Sequence, residues 1–376
     1  MIAVVADDFT GAAELAGICL RYGLKVHLCT GNELLHADAD VLIVSSDSRS
    51  MQHDDAMQVT RELWQKIKAM QPAWVYKKTD SVLRGYVYDE LKVQMEVMQQ
   101  SLAFLLPANP SLGRIIQQQQ YYVQGELISS TAFANDPEFP ITNASITAML
   151  RAKDVQVLAP GAALPDSGVV VGEAAADDEV HAWALRMQPG IALAGAGDFF
   201  TALLDAKFKL KTTAPITLHP RVLYVCGTAY APSVAYVQQV HKQCTDVFFI
   251  PASIVARPHE ISYDWLRQVH LHLKHTQKAI IGFNAADLPQ QATALDLRLA
   301  MASAVSAILK QWPQGELFIE GGSTAAAIFN AMQWQQFHPV SEWERGAVRM
   351  QAGNWYVSVK PGSYALPTEI QQVFAP

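Results

Sequence analysis

Short apolar runs rich in β-branched residues alternate with longer amphipathic runs along the chain, and this alternation limits the fold more than any other feature. Continuous apolar runs are typical of strands buried on both faces, whereas the amphipathic runs have the period of helices. Strands that alternate with helices are joined by right-handed crossovers and form mainly parallel sheets. The predicted fold class is therefore α/β, with mainly parallel sheets flanked by helices.

The first half of the chain contains one series of such runs. The predicted strands are Ile2–Ala6, Val41–Ser45, Trp74–Lys78, Leu102–Leu106, Val155–Leu158, Val169–Val171 and Ile191–Ala194, and the predicted helices are Gly11–Tyr22, Asp54–Met70, Tyr88–Gln100 and Phe199–Ala206. The segment Gln117–Gln124 is interpreted as a strand of a hairpin, because four glutamines are too few for a low-complexity tract.

A second α/β series follows the stretch Lys207–His219, which contains Pro215, has no helical period and is predicted to be a linker. The predicted strands are Arg221–Cys226, Val247–Ile250, Ala279–Phe283 and Leu317–Ile319, the predicted helices are Ala231–Gln243, Ile261–His275, Ala292–Trp312 and Thr324–Met332, and the predicted final hairpin is Ala347–Met350 with Trp355–Lys360. The chain is therefore expected to form two domains, residues 1–206 and 220–376, with the active site in the crevice between them.

Composition and charge agree with this division. The chain has 376 residues, of which 50% are apolar and 17% charged, so it can bury a sizeable core. Its net charge of −7 disfavours a general nucleic-acid binder. Residues 1–206 carry 14 basic and 25 acidic side chains, and residues 207–376 carry 14 and 10. This change of sign fits two domains with different partners, although ordinary surface variation would also produce it.

Targeting and redox features predict a cytoplasmic protein. The first residues have no positive region, which argues against a secretory signal. The longest nearly apolar stretch, Gly190–Leu204, is too short for a membrane span and contains Asp198. Four cysteines without a CxxC spacing are expected to be reduced structural thiols. The sequence leaves a homo-oligomer open.

Polar residues follow the first predicted strand. Asp7 and Asp8 come directly after it and lead through Thr10 into a helix. One aspartate at this point can simply cap the helix, but two in a row after a buried strand favour a polar site. Ligands of open α/β sheets bind at the carboxyl ends of strands, so a substrate site is expected here.

The third predicted strand ends in a turn rich in charge. The polar residues of this turn are Lys78, Asp80, Ser81 and Arg84, and Gly85 follows them. The guanidinium fork of Arg84 can bind a carboxylate through two hydrogen bonds, and Asp80 can either hold that arginine or take a proton from a hydroxyl. A surface loop with a salt bridge is the alternative. Asn109 and Arg114, after the fourth strand, could reach the same crevice.

Three glycine-containing turns in the second half follow predicted strands. Glycine lets a phosphate approach the backbone, and a helix N-terminus supplies N–H donors. The residues of these turns are Gly227 and Thr228; Gly321, Gly322, Ser323 and Thr324; and Gly362. Each turn alone is a weak signal, and the chain lacks a Walker A motif. Gly195 and Gly197 form only half of a dinucleotide fingerprint and are interpreted as packing glycines.

These motifs together resemble those of the four-carbon acid sugar kinases, in the same order and over nearly the whole chain. The motifs and their matches are ADD-hydrophobic-TGA at Ala6–Ala12, KK-x-DS-x-LRG at Lys77–Gly85, PA-x-P-x-x-GR at Pro107–Arg114, G-x-L at Gly125–Leu127, DP-x-x-P at Asp136–Pro140, AG-x-G at Ala194–Gly197, GG-x-T at Gly321–Thr324 and KPG at Lys360–Gly362. Ala13-Glu14 stands where the family usually has Asn-Asp.

The resemblance implies an ATP-dependent kinase that uses Mg²⁺ and phosphorylates the terminal hydroxyl of threonate, erythronate or a 3-oxo-tetronate. It places the sugar acid in the first domain, at Asp7, Asp8, Lys78, Asp80, Ser81 and Arg84, and the nucleotide at the glycine turns of the second. Either Asp8 or Asp80 is expected to be the base, and the metal ligands stay unassigned. The alternatives are a cytoplasmic sugar-acid sensor without kinase activity and an NAD-dependent dehydrogenase. The incomplete dinucleotide fingerprint argues against the dehydrogenase.

Overall fold

A computed structural model describes residues 1–31, 38–136, 139–211, 216–362 and 364–375. The chain divides into two compact units, Met1–Thr212 and Thr213–Pro376. The division lies within the stretch 207–219 predicted as a linker, of which residues 212–215 are outside the described residues.

The first unit alternates strands and helices. Its strands are β1 (Ile2–Ala6), β2 (Val26–Thr30), β3 (Val41–Ser45), β4 (Trp74–Lys78), β5 (Leu102–Leu106), β6 (Arg114–Gln117), β7 (Gln120–Val123), β8 (Glu126–Leu127), β9 (Val155–Leu158), β10 (Gly168–Gly172) and β11 (Ala192–Gly195). Its helices are α1 (Phe9–Arg21), α2 (His53–Ala69), α3 (Val87–Met98), α4 (Ile146–Met149), α5 (Asp177–Ala184) and α6 (Gly197–Asp205).

Eight of these strands form one parallel sheet in the order β2-β3-β1-β4-β11-β5-β10-β9. All five residues of β1, β3 and β5 are buried, as expected of central strands covered by helices on both faces. The apolar face of α2, with Leu63, Trp64 and Ile67, packs against the β1, β3 and β4 side of this sheet. The α/β prediction is therefore confirmed. Strand β2 and helix α5 were not predicted.

The segment Gln117–Gln124 lies in a hairpin, as predicted, but it covers the end of one strand, the turn and the second strand. Strands β6 and β7 pair antiparallel and meet at a turn formed by Gln118 and Gln119, both with positive φ angles. Strand β8 extends this small sheet beside β7. A non-glycine residue rarely adopts such an angle, so the glutamines gave no sign of the turn.

The second unit repeats the architecture. Its strands are β12 (Val222–Cys226), β13 (Val247–Phe249), β14 (Lys278–Gly282), β15 (Gly315–Glu320), β16 (Gln336–Glu344), β17 (Ala347–Ala352) and β18 (Trp355–Lys360), and its helices are α7 (Ala231–Gln243), α8 (Ala252–Ala256), α9 (Tyr263–Thr276), α10 (Ala294–Gln311), α11 (Gly322–Met332) and α12 (Thr368–Val373). Strands β13, β14, β12, β15 and β18 run parallel in that order, and β17 and β16 continue antiparallel from β18.

All four cysteines are free thiols, as predicted. Among the helices that the structure describes, none has the length and apolar character needed to span a membrane.

Candidate functional site

The carboxyl ends of β1 and β4 lie side by side, because Ala6 and Lys78 are register partners. The chain therefore leaves these two strands at one edge of the sheet, with Asp7 and Asp8 after β1 and Asp80 after β4. Asp8 is the N-cap of α1, where its Oδ1 accepts a hydrogen bond from the backbone N–H of Gly11 at 2.8 Å. These three aspartates are called the carboxylate cluster below.

Arg49 contacts every member of the carboxylate cluster. It lies in a short 3₁₀ turn after β3. Its Nε and Nη2 donate to Oδ2 of Asp7 at 3.0 and 2.9 Å. The same Nη2 is 3.3 Å from Oδ1 of Asp8, and Nη1 is 3.6 Å from Oδ1 of Asp80. One guanidinium therefore lies between carboxylates from two strand ends.

Arg84 is held by carboxylates. Its Nε and Nη2 donate to the two oxygens of Asp80 at 2.9 and 3.0 Å, and its Nη1 donates to Asp136 at 2.9 Å. The backbone N–H of Arg84 also donates to Asp80 at 3.1 Å. The fork that was expected to receive a substrate carboxylate is thus occupied by Asp80.

Arg114 has a different environment. It is half-buried at the start of β6, and its Nη1 donates to the hydroxyl of Ser81. Among the described residues, no carboxylate pairs with Arg114. The guanidinium groups of Arg84 and Arg114 lie 5.7 and 5.8 Å from the ring centroid of Phe133, so both contact one aromatic ring.

The members of the carboxylate cluster differ in their ionisation. Burial raises the pKa of Asp7, and Arg49 only partly opposes this. Burial also opposes ionisation of Asp8, but Arg49, Lys78 and the hydrogen bonds from Thr10 and Gly11 outweigh it and lower the pKa of Asp8. In Asp80, burial is outweighed by Arg84 and Arg49, which hold its pKa well below the usual range. Asp8 and Asp80 are therefore carboxylates at neutral pH.

Lys78 and Thr10 line the same edge of the sheet. The Lys78 ammonium is 3.4 Å from a carboxylate oxygen of Glu14 and donates to the carbonyl of Thr79. The hydroxyl of Thr10 donates to Asp8 at 2.5 Å. Lys77, the neighbour of Lys78, points to the other face of the sheet and pairs with buried Glu90 at 2.5 Å. Only the second lysine of the pair therefore faces the site.

Asn109 supports a neighbouring strand end. Its side-chain oxygen accepts from the backbone N–H of Asp198 at 2.8 Å, in the first turn of α6. The Asp198 carboxylate in turn accepts from the backbone N–H of Ser111 at 3.0 Å and from its hydroxyl. A Cβ on Gly195 would lie 2.2 Å from the Leu106 carbonyl oxygen, so this glycine is required by packing, as predicted.

The glycine turns of the second unit come together at one edge of its sheet. The three turns follow β12, β15 and β18, which are adjacent parallel strands. The Thr324 hydroxyl donates to the carbonyl of Gly227 at 3.2 Å, and the Thr228 hydroxyl donates to the carbonyl of Gly362 at 3.4 Å. Gly321 has a φ of +100°, and a Cβ there would lie 3.1 Å from the Gly227 carbonyl oxygen. Gly322 and Ser323 begin α11, whose first N–H groups have no acceptor within the helix.

Three side chains lie in register at the strand ends that lead into these turns. Cys226, Glu320 and Lys360 are register partners at the last positions of β12, β15 and β18. Glu320 and Lys360 are fully buried, with Lys360 Nζ 3.1 Å from Oε1 of Glu320. Lys360 donates to the carbonyls of Pro361 and Tyr364 at 3.1 and 2.7 Å. The lysine therefore holds the turn that contains Gly362 from inside the protein.

The glycine turns of the second unit offer groups that suit a polyphosphate. Glycines, a helix N-terminus and hydroxyl groups at one edge are the groups that bind phosphate oxygens. Within the described ranges, no cluster of three or more His, Cys, Asp or Glu side chains has a geometry that could hold a metal. The metal ligands, unassigned from the sequence, stay unassigned.

Sequence reasoning missed residues that complete the first-unit site. Arg49 follows a predicted strand, so the rule about carboxyl ends, applied to β3 as well, would have identified it. Asp136 was matched only as part of a motif, and residues 137–138 of that motif lie outside the described residues. Glu14 and Asp198 lie on helices, where their alignment with the site depends on the packing of α1 and α6.

Comparison with known proteins identifies the first unit. A sequence model of the sugar-binding N-terminal domain matches residues 2–185. A D-threonate kinase of Bordetella bronchiseptica is 33% identical over 156 residues, which are 40% of this chain and 38% of that protein. A 3-oxo-tetronate kinase of Brucella melitensis is 30% identical over 158 residues, or 40% of this chain and 36% of the relative. The matched segments thus span little more than a third of each curated relative.

The fold itself is shared over the full chain. The crystal structure of a Haemophilus influenzae protein superposes with a TM-score of 0.72, covering 98% of this chain and 99% of that one, at 17% identity. The fold and the sequence match define a two-unit α/β protein with a sugar-binding N-terminal domain. The match of residues 2–185 to the sugar-binding N-terminal domain, and the similarity to proteins named D-threonate kinase and 3-oxo-tetronate kinase, agree with the resemblance of the first-unit motifs to the four-carbon acid sugar kinases.

Proposed function

We propose that the protein is an ATP-dependent kinase that phosphorylates the terminal hydroxyl of a four-carbon sugar acid such as threonate, erythronate or a 3-oxo-tetronate. The observation that carries this proposal is that two candidate bases and a candidate carboxylate-binding arginine occur together at one edge of the parallel sheet. The ionised Asp8 and Asp80 lie there, and Arg114, which has no carboxylate partner among the described residues, is linked to that edge through Ser81. A sugar acid has a hydroxyl, which must lose a proton when it is phosphorylated, and a carboxylate, which must be bound.

Asp8 is the better candidate for the base that orients the attacking hydroxyl. Its side chain is 21% exposed, compared with 9% for Asp80. Both oxygens of Asp80 are used by Arg84, whereas Asp8 is held by Thr10 and a backbone N–H and keeps access to solvent. A carboxylate that accepts the hydroxyl proton as the phosphoryl group transfers is a recurring part of kinase sites. In this assignment Asp80 holds Arg84.

Arg114 is the better candidate for the substrate carboxylate. A guanidinium whose fork is unoccupied by protein carboxylates can form two hydrogen bonds to an incoming one. The Arg114 guanidinium also lies 5.8 Å from the centroid of the Phe133 ring, within the range of a cation–π contact. Arg84, in contrast, would have to break its contacts with Asp80. Lys78, Ser81 and Gly85 remain predicted contacts of the sugar acid or its supports.

The second unit is proposed to hold ATP. The glycine turns present small residues and helix N–H groups at adjacent strand ends, which suits the phosphates of a nucleotide. A divalent cation, when bound, would neutralise phosphate charge, and Mg²⁺ is the ion that phosphoryl transfer ordinarily uses. Buried Lys360 is proposed to shape the turn rather than to contact phosphate.

A coupled ADP-release assay over four-carbon sugar acids tests the proposal. The purified full chain is supplied with ATP and Mg²⁺, and each acid is compared with the corresponding aldose and polyol as controls. Turnover is expected only with acids, because the controls lack the carboxylate that Arg114 would bind. The substrate assignment is wrong if an aldose or polyol releases ADP and no acid does. ATP binding by calorimetry without turnover on any compound would favour a sensor.

A further inference from the structure

Arg49 lies within 4 Å of a carboxylate oxygen of each member of the carboxylate cluster. It is the only side chain that the described contacts place against all three members of the carboxylate cluster. Its own side chain is 14% exposed, so it is largely withdrawn from solvent. Its backbone N–H also donates to the carbonyl of Asp7 at 3.3 Å, which ties the 3₁₀ turn after β3 to the end of β1.

Gly85 makes room for this arginine. It has a φ of +86°, and a Cβ at this position would lie 3.2 Å from Cγ of Arg49. That distance is tighter than ordinary carbon contacts, which begin at about 3.5 Å. The glycine of the Leu83-Arg84-Gly85 turn therefore has a physical role in the site: its missing side chain lets Arg49 reach the cluster.

The charges around Asp8 show what Arg49 contributes. The charged groups around Asp8 are Asp7 on its own strand end, Arg49 from the turn after β3 and Lys78 at the end of β4, with Asp80 beside Arg49 and Glu14 beside Lys78. Lys78 is itself 3.4 Å from Glu14, so its charge is shared. Without Arg49, Asp80 would keep its pairing with Arg84, whereas Asp7 and Asp8 would be left with Lys78, whose charge is shared with Glu14.

We infer that Arg49 is the positioning residue of this site: its guanidinium lies against Oδ1 of Asp8, after β1, and against Oδ1 of Asp80, after β4, and it keeps Asp8 ready to accept a proton. The inference rests on the proposed function for its effect on turnover. Its electrostatic part concerns the protein alone and can be tested without substrate.

The first test measures ionisation directly. Protein labelled with ¹³C at aspartate carboxyls is titrated as wild type, Arg49→Met and Arg49→Lys, with Asp8→Asn used to assign the Asp8 signal. In Arg49→Met the Asp8 titration is expected to move upward by about 1–3 pH units, the size typical of losing an opposite charge at this distance. Arg49→Lys should retain most of the wild-type titration. Arg61→Met is the control, because Arg61 pairs with Glu96 on the surface, away from the cluster. An unchanged Asp8 titration in folded Arg49→Met overturns the inference.

The second test separates charge from geometry. Both Arg49 variants should lower kcat by about 10–100-fold, since loss of the fork misplaces the base, with the KM for ATP unchanged. Only Arg49→Met should shift the acid limb of the pH profile upward. Gly85→Ala should reduce kcat in the same direction by displacing Arg49, whereas Gly161→Ala should not, because Gly161 has the same φ of +86° and open space around it.

The proposed function and the role of Arg49 can be overturned by different results. If wild type turns over no sugar acid, the proposed function fails while the carboxyl titration still decides the role of Arg49. If wild type is active and Arg49→Met retains full kcat and the wild-type pH profile, the inference fails while the kinase assignment stands.

Discussion

Asp80 accepts hydrogen bonds from Nε and Nη2 of Arg84 at 2.9 and 3.0 Å, one on each carboxylate oxygen. This two-point contact is the geometry that an arginine would otherwise offer to a substrate carboxylate. Arg84 and Asp80 therefore satisfy each other within one turn, and the carboxylate-binding role passes to Arg114 in the proposed function.

The first prediction separates the two arginines. Arg114→Ala should raise the KM for the sugar acid by an amount equivalent to about 2–5 kcal/mol, the usual cost of removing one partner of a buried charge pair. Its urea midpoint should stay near that of wild type, because Arg114 is not paired with a protein carboxylate in the described residues. Arg84→Ala should lower the urea midpoint and kcat, since it leaves Asp80 without its main partner. A selective rise in KM for Arg84→Ala, with Arg114→Ala unaffected, would return the carboxylate role to Arg84.

The second prediction concerns Asp8. Asp8→Asn keeps the shape and the helix cap but removes the base, so kcat should fall by about 100-fold or more. The affinity for ATP, measured by calorimetry, should be nearly unchanged, because the loss is felt only as the hydroxyl reacts. Asp38→Asn is a suitable control, since Asp38 is fully exposed and its ion pair among the described residues is with Lys25 on the surface. Loss of ATP binding in Asp8→Asn would place the nucleotide in the first unit.

The third prediction tests the glycine turns. Gly321→Ala introduces a side chain at a φ of +100° and 3.1 Å from the Gly227 carbonyl oxygen, so the turn must move. ATP affinity should fall by about tenfold or more, because a strained turn of this kind costs about 1–3 kcal/mol. Gly353→Ala provides the matched control, with a φ of +56° and no atom within 4 Å of the added carbon. Equal ATP affinities in the two variants would remove the Gly321 turn from the nucleotide site.

The fourth prediction concerns the pH dependence of stability. The pKa of Asp80 is lower in the folded protein than the value of about 3.9 expected when unfolded. Its contribution is therefore fully present above about pH 5 and is lost as the pH falls toward the folded value. Asp80→Asn should be less stable than wild type at pH 7 by about 1–3 kcal/mol, the cost of leaving a buried hydrogen-bonding group unpaired.

The gap between wild type and Asp80→Asn should narrow as urea titrations are repeated below about pH 4. Arg84 keeps its contact with Asp136 in this variant, which limits the loss at neutral pH. A gap that stays constant between pH 7 and pH 3 would mean that folding does not lower the pKa of Asp80. It would also remove the charge argument for Arg84.

The parallel sheet and its site edge could be predicted from sequence, because strand ends in such sheets converge by geometry. Once β1 and β4 are recognised as buried strands, Asp7, Asp8 and Asp80 must lie near one another. Which cation pairs with which carboxylate could not be predicted. That choice depends on the positive φ of Leu83 and Gly85, which folds Arg84 back onto Asp80.

Two elements with atypical composition could not be predicted from the sequence either. Strand β2 contains His27, which is 3% exposed, and a polar residue of this kind interrupts the apolar run that predicts a buried strand. The hairpin turn at Gln118 and Gln119 lacks the glycine or asparagine that such turns favour. In both places tertiary packing determines the conformation, and local preference opposes it.

The small sheet of β6, β7 and β8 has a consequence for how this protein can change over evolutionary time. Arg114 and Phe133 belong to this sheet and the turns after it, whereas the carboxylate cluster and Arg49 belong to the large parallel sheet. Bridges such as Ile116 to Ala174 and Gln120 to Ser145 join it to the rest of the first unit. In the proposed roles, the residues that select the acid lie in the small sheet and the turns after it, whereas the residue that accepts the proton lies at the edge of the large parallel sheet. Substitutions in the small sheet can then recruit a new acid while the older chemistry stays intact.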